Sequence, residues 1–180
     1  MPQQQITDPA KINKLAEELT AGPQVIATEA PAATQVHLPG GFIKGGAVTH
    51  SAEVRELNGL DEEAIAKAGS TSRALLTVLE RGLVKLGDKD ATREDLDELL
   101  SGDRDAILLG VRKVTFGNLA EFTGFCQTCE QPRDFTVDLT EDIEVKELDN
   151  PTADRTWKVI IKAGVATLSL PTGLTQRKIM

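Results

Sequence analysis

The amino-acid sequence predicts an α+β fold: a small central helical bundle with antiparallel strands and hairpins around it and a CxxC turn. Three observations predict it. Apolar residues recur at three- and four-residue spacing between Ser70 and Phe116. Apolar and polar residues alternate over Val48–Val54, and the strand-like runs Trp157–Lys162 and Val165–Leu170 flank a turn at Ala163-Gly164. Cys126 and Cys129 are the only cysteines of the 180-residue chain and follow closely on the helical stretch.

Taken in order, Asp8-Pro9 supplies an N-cap acid and a proline at the first helical position. Ile12, Leu15, Ala16 and Leu19 then form an apolar stripe, so residues 1–21 read as a tethered amphipathic helix starting at about Pro9. Gly22-Pro23 stops it. Residues 22–35, rich in Ala, Thr and Pro, have too few large apolar side chains to pack and read as a linker. Residues 36–180 then form a single α+β domain, with a small Cys-turn and β-hairpin subdomain at about 117–170.

Within that domain Pro39-Gly40-Gly41 and Gly45-Gly46 break short extended pieces, and Val48, His50, Ala52 and Val54 mark the buried side of a strand. Asp61 is expected to cap an alanine-rich helix ending near Ala68. A longer helix is expected from Ser70 to Leu86, although Gly82 weakens it by roughly 1 kcal/mol relative to alanine. Thr92 and Asp95 form a capping-box-like start to a short helix through Leu100, and Ser101 or Asp103 opens the next. In that helix Leu108 and Val111 are expected to face the core. Thr136–Leu139 and Ile143–Lys146 read as strands, and Trp157–Lys162 with Val165–Leu170 as a hairpin turning at Ala163-Gly164.

The net charge of −8 is concentrated. Asp88–Asp105 holds eight acids against three bases, and Glu141–Asp154 holds six acids against Lys146. Such patches repel phosphate, and four of the six aromatic residues sit around the cysteine pair rather than spread as stacking platforms, so nucleic acid is not an expected partner. No apolar run is long enough to cross a bilayer, so no membrane partner is expected either. The start Met1-Pro2-Gln3-Gln4-Gln5 lacks the basic-then-apolar pattern of a secretory signal, and the thiols are expected to be reduced.

Candidate chemistry is sparse. Cys126-Gln127-Thr128-Cys129 places two thiolates on one side of a turn, half of the four ligands that a structural zinc needs. It reads either as a zinc half-site or as a turn with two small, semi-buried thiols. His37 and His50 fall where hydrogen-bonded core histidines are expected, and no serine or cysteine stands beside either in a nucleophile motif. Asp88–Glu94 lacks the glycine of a calcium loop, and Gly40, Gly41, Gly45 and Gly46 read as turn glycines. No catalytic residue is assigned. The partner-binding candidates are Ile12, Leu15 and Leu19, whose exposed stripe suits helix-in-groove docking.

Several short motifs occur in a telling order: His37-Leu38-Pro39-Gly40-Gly41, Val54-Arg55-Glu56-Leu57-Asn58-Gly59-Leu60-Asp61-Glu62-Glu63, Gly102-Asp103-Arg104, Leu108-Leu109-Gly110-Val111-Arg112, Phe116-Gly117, Cys126-Gln127-Thr128-Cys129 and Leu170-Pro171-Thr172-Gly173. In this order they resemble the baseplate hub assembly family of T-even-type tailed bacteriophages, over Val36 to Gly173. The resemblance implies a non-enzymatic structural or assembly protein of the phage tail or a related contractile injection system. It would act through contacts with other tail or baseplate proteins or a second copy of itself, in the host cytoplasm during assembly and in the virion baseplate. That family's pattern has a second cysteine pair after the first, and Arg133–Lys162 contains none, so no cofactor is expected and zinc stays an open alternative at Cys126 and Cys129. The competing reading is a small cytoplasmic zinc- or thiol-dependent regulatory module.

Overall fold

The computed structural model describes residues 34–179. The amphipathic stripe of Ile12, Leu15 and Leu19 and most of the 22–35 segment lie outside them. Strand β1 (Thr34–Lys44) turns at Gly45-Gly46, both at positive φ, into the antiparallel β2 (Ala47–Val54). Strands β3 (Leu83–Leu86) and β4 (Lys89–Asp90) extend this into a four-stranded sheet of order β1-β2-β3-β4. Thr34 and Gln35 are thus strand residues rather than linker.

The β1–β2 ladder breaks between His37 and Phe42, where Leu38, Pro39, Gly40 and Gly41 stand against His50 alone. This is a wide bulge rather than a turn, which corrects the reading of Gly40 and Gly41. Gly41 has φ +69°, and a Cβ there would lie 2.9 Å from His50 Cε1, so glycine is what lets the strand bulge. His50 Nδ1 donates to the Leu38 carbonyl oxygen at 3.0 Å and fills the gap.

Helix α1 (Gly59–Ala66) is capped by Asn58, whose side chain accepts from the Leu60 and Asp61 amides while the Asp61 carboxylate accepts from the Asn58 amide. The cap is therefore Asn58, and Asp61 completes the reciprocal box from inside the helix. Helix α2 (Thr71–Gly82) begins at the Ser70 cap. It does not continue to Leu86. The run Leu83-Val84-Lys85-Leu86 suits either geometry, and pairing with the edge of β2, Val54 to Leu83 and Ala52 to Leu86, decides for a strand. Helix α3 (Arg93–Glu98) carries the expected Thr92/Asp95 capping box.

Helix α4 (Ser101–Phe116) lies against β1 and β2. Gly110 permits this approach, since a Cβ there would overlap the Val36 side chain. Ile107 and Val111 join Leu38, Phe42, Ala52, Val54, Leu79, Leu83, Leu86, Leu96 and Leu99 in the buried core. Each of these side chains except Ala52 stabilises the fold by about 1.5–3 kcal/mol relative to exposure. Leu108 is only partly buried, so the residue that points most directly inward from this turn is Ile107.

Beyond the core, β5 (Leu119–Phe125) pairs with β6 (Pro132–Asp138), and β7 (Thr156–Ile161) with β8 (Gly164–Ser169), each as a separate two-stranded antiparallel sheet. The expected strand at Ile143–Lys146 is irregular backbone, because its alternation is not matched by a neighbouring edge to pair with. Helix α5 (Gly173–Ile179) is held by Gly173 N donating to Leu99 O at 3.0 Å, Arg104 Nη1 to Gln176 Oε1 at 2.6 Å, and Arg177 to Asp97 at 2.8 Å. The class is α+β, as the sequence predicts.

Candidate interaction surface

Both hairpins are cross-strand ladders whose side chains sort by register. On β5–β6 one face carries Ala120, Phe122, Phe135 and Val137, and the phenylalanines stack with centroids 5.8 Å apart. The other carries Leu119, Glu121, Thr123 and Phe125 opposite Asp138, Thr136, Asp134 and Pro132. On β7–β8 one face holds Trp157, Val159, Ile161, Ala166 and Leu168, and the other Lys158, Ile160, Val165 and Thr167.

Neither ribbon covers its own apolar residues. Phe125 is 75% exposed, Ile160 87% and Val165 65%, and Phe122, Phe135, Trp157 and Leu168 are also exposed. A lone two-stranded hairpin is marginally stable in water, and exposed apolar side chains grouped on such a ribbon make it a candidate contact surface. Sequence reasoning identified the hairpin but not its exposure; the signal was present as apolar residues on both strand faces, at Ile160 and Trp157 alike.

Both ribbons are tied to the body at their bases. Arg155, just before β7, donates from Nη2 to the Gly41 carbonyl oxygen and from Nε to Pro151 O at 2.6 Å. At the far end of β8, Ser101 N donates to Pro171 O at 2.9 Å, and Leu148 N donates to Pro39 O at 3.0 Å. Arg112 holds the start of β5 through Gly117 O at 3.1 Å and lies over the Phe116 ring at 4.9 Å. The bulge is the meeting point: Gly40 N donates to Asp103 Oδ1 at 2.7 Å, bringing the motifs around Pro39-Gly40-Gly41 and Gly102-Asp103-Arg104 together. Asp103 is fully buried, its Oδ2 has no hydrogen-bond partner, and burial pushes its carboxyl above the usual range despite the Gly40 amide and Arg155.

Cys126 and Cys129 form the turn between β5 and β6. Cys126 N donates to Gln131 O at 3.0 Å, Glu130 N donates to Cys126 O at 2.8 Å, and Glu130 has φ 54°. The Cys129 and Thr128 amides, with the Cys129 thiol, hold the Cys126 thiol below its ordinary value. Both thiols are free, and among the described residues no His, Asp or Glu joins them in a cluster of three, so the described residues supply two of the four ligands of a structural zinc. His50 is half-buried and bonded as expected. His37 is not a core residue: it is exposed, stacks on His50 at 5.6 Å and pairs with Glu147 at 3.1 Å. No described helix is long and apolar enough to cross a membrane.

The family model described as T4 bacteriophage base plate protein matches residues 54–170, well over half of the chain. The chain belongs to that family. The family match runs from the last residue of β2 to the end of β8 and so encloses helix α4, the cysteine turn and both hairpins. It begins beyond the bulge at Leu38–Gly41. No curated protein and no solved structure matches the chain.

Proposed function

We propose that this chain is a non-enzymatic structural or assembly component of the phage baseplate, or of its hub, acting through protein–protein contacts. The observation that carries the reading is the pair of anchored hairpins with exposed apolar residues on both faces. Family membership supplies the setting, a T4-type phage baseplate. The partners are then other tail or baseplate proteins of the same particle, met in the host cytoplasm during assembly and retained in the tail.

The Ile12, Leu15 and Leu19 stripe is proposed as an additional partner-binding element, and Cys126 and Cys129 as a turn without a resident cofactor. Co-expression with the neighbouring baseplate proteins and co-purification tests the reading. Phe125→Ser with Ile160→Ser is expected to abolish capture while leaving the melting temperature within about 2 °C, since exposed substitutions change stability little. Capture at the wild-type level by that variant contradicts it. Deleting residues 1–21 separately measures what the N-terminal stripe adds.

A further inference from the structure

The two hairpins have opposite charge. From Leu119 to Asp149 the chain carries nine acids and two bases, Arg133 and Lys146. From Arg155 onward it carries five bases and not one Asp or Glu. The sign change coincides with the two ribbons. The β5–β6 face bearing Leu119 and Phe125 also bears Glu121, Asp134 and Asp138, and the β7–β8 face bearing Ile160 and Val165 also bears Lys158, with Lys162 at the turn.

These faces match in chemistry as well as sign: each places large apolar side chains beside charges that pair with those of the other. Among the described residues none of Glu121, Asp134, Asp138, Lys158 and Lys162 makes an ion pair. Phe125, Ile160 and Val165 are exposed in the single chain, so the two faces do not satisfy each other within one copy.

We propose that the basic β7–β8 face of one copy docks on the acidic β5–β6 face of the next, giving a head-to-tail assembly of this chain. The docked ribbons bury Ile160 and Val165 against Leu119 and Phe125, while Lys158 and Lys162 meet Glu121, Asp134 and Asp138. Because the two surfaces differ, the contact is heterologous and closes into a ring or continues as a filament according to its rotation. The proposal rests on reading the hairpins as contact surfaces and names one occupant for them.

Light scattering and sedimentation equilibrium of the purified full chain test it. The wild type is expected to self-associate at low ionic strength, and roughly tenfold more weakly at high salt, because the charges at the rim are screened. Lys158→Glu with Lys162→Glu, and separately Glu121→Lys with Asp134→Lys, are each expected to be monomeric. In an equimolar mixture they reassociate, since every joint between the two variants again brings opposite signs together. A monomeric wild type at all salt concentrations, a single variant that still assembles, or a mixture that stays monomeric overturns the proposal. Should a variant fail to fold by circular dichroism, the salt dependence of the wild type alone decides. A monomeric wild type whose hairpin variants still lose baseplate partners overturns self-docking and leaves the contact-surface reading intact.

Discussion

Asp103 Oδ1 accepts a hydrogen bond from the Gly40 amide at 2.7 Å, across 63 residues of sequence, and so fixes helix α4 to the bulge of β1. Arg155 reaches the same bulge from the base of β7. One short Gly-Gly segment thereby positions the central helix and one contact hairpin together. A Cβ on residue 40 would lie 2.6 Å from Leu100 Cδ1 and 2.9 Å from Asp103 Oδ2. Gly40→Ala is expected to destabilise the fold by about 1–3 kcal/mol, the usual range for overpacking, as read from urea denaturation. An unchanged midpoint would show that the bulge is not closely packed.

Asp61 is buried between Arg55 Nη1 at 2.8 Å and Arg81 Nη1 at 3.6 Å and also receives the Asn58 amide. The Arg55 guanidinium beside it holds its carboxyl below the usual 3.8, against the opposing effect of burial. A depressed folded value stabilises the native state above about pH 4 and is lost as pH falls through it. Asp61→Asn is therefore expected to lower stability by about 1.5–3 kcal/mol at pH 7, the worth of a hydrogen bond to a charged group. Denaturation curves from pH 7 down to pH 3 should show the gap to wild type closing.

Burial in helix α4 decides a third case. Ile107 is fully buried and Leu108 only partly so. Ile107→Ala is expected to cost about 2–5 kcal/mol as a core truncation, and Leu108→Ala distinctly less. The reverse order in thermal denaturation would mean that the helix is rotated by about 100° from this register.

This helix also shows how far the sequence could be read. Its glycine boundary follows from a local signal at Gly117 and the Thr92/Asp95 box follows likewise, whereas its N-cap is Leu100, which makes no side-chain cap hydrogen bond, so neither Ser101 nor Asp103 caps it. Which of two adjacent apolar residues points inward depends on where β1 and β2 lie, which the apolar pattern of one helix does not encode. Leu83–Leu86 was ambiguous for the same reason, being apolar enough for a helix end and settled as a strand by pairing with β2. The contact surface was half legible. The β7–β8 hairpin is legible in its strand-like runs and turn residues and β5 is not, whereas the exposure of Phe125 and Ile160 depends on whether another layer covers them, which none of the described residues does.

At the cysteine turn, Cys126→Ser with Cys129→Ser is expected to leave folding and melting temperature essentially unchanged. One cysteine pair without further described ligands cannot complete a tetrahedral site. Metal analysis of the purified chain and a melt with and without chelator check this. Stoichiometric zinc together with unfolding by chelator would establish a metal-dependent fold.

The central claim is that the exposed hairpin faces join this chain to the baseplate. Its most direct test is complementation of a phage lacking this gene with the Phe125→Ser and Ile160→Ser double variant, counting completed baseplates by electron microscopy. The purified variant must keep its wild-type melting temperature for the count to bear on contacts. The account predicts that completed baseplates fall at least roughly tenfold, the loss expected for removing about 1.4 kcal/mol or more of contact energy. Completed baseplates at the wild-type number would contradict it.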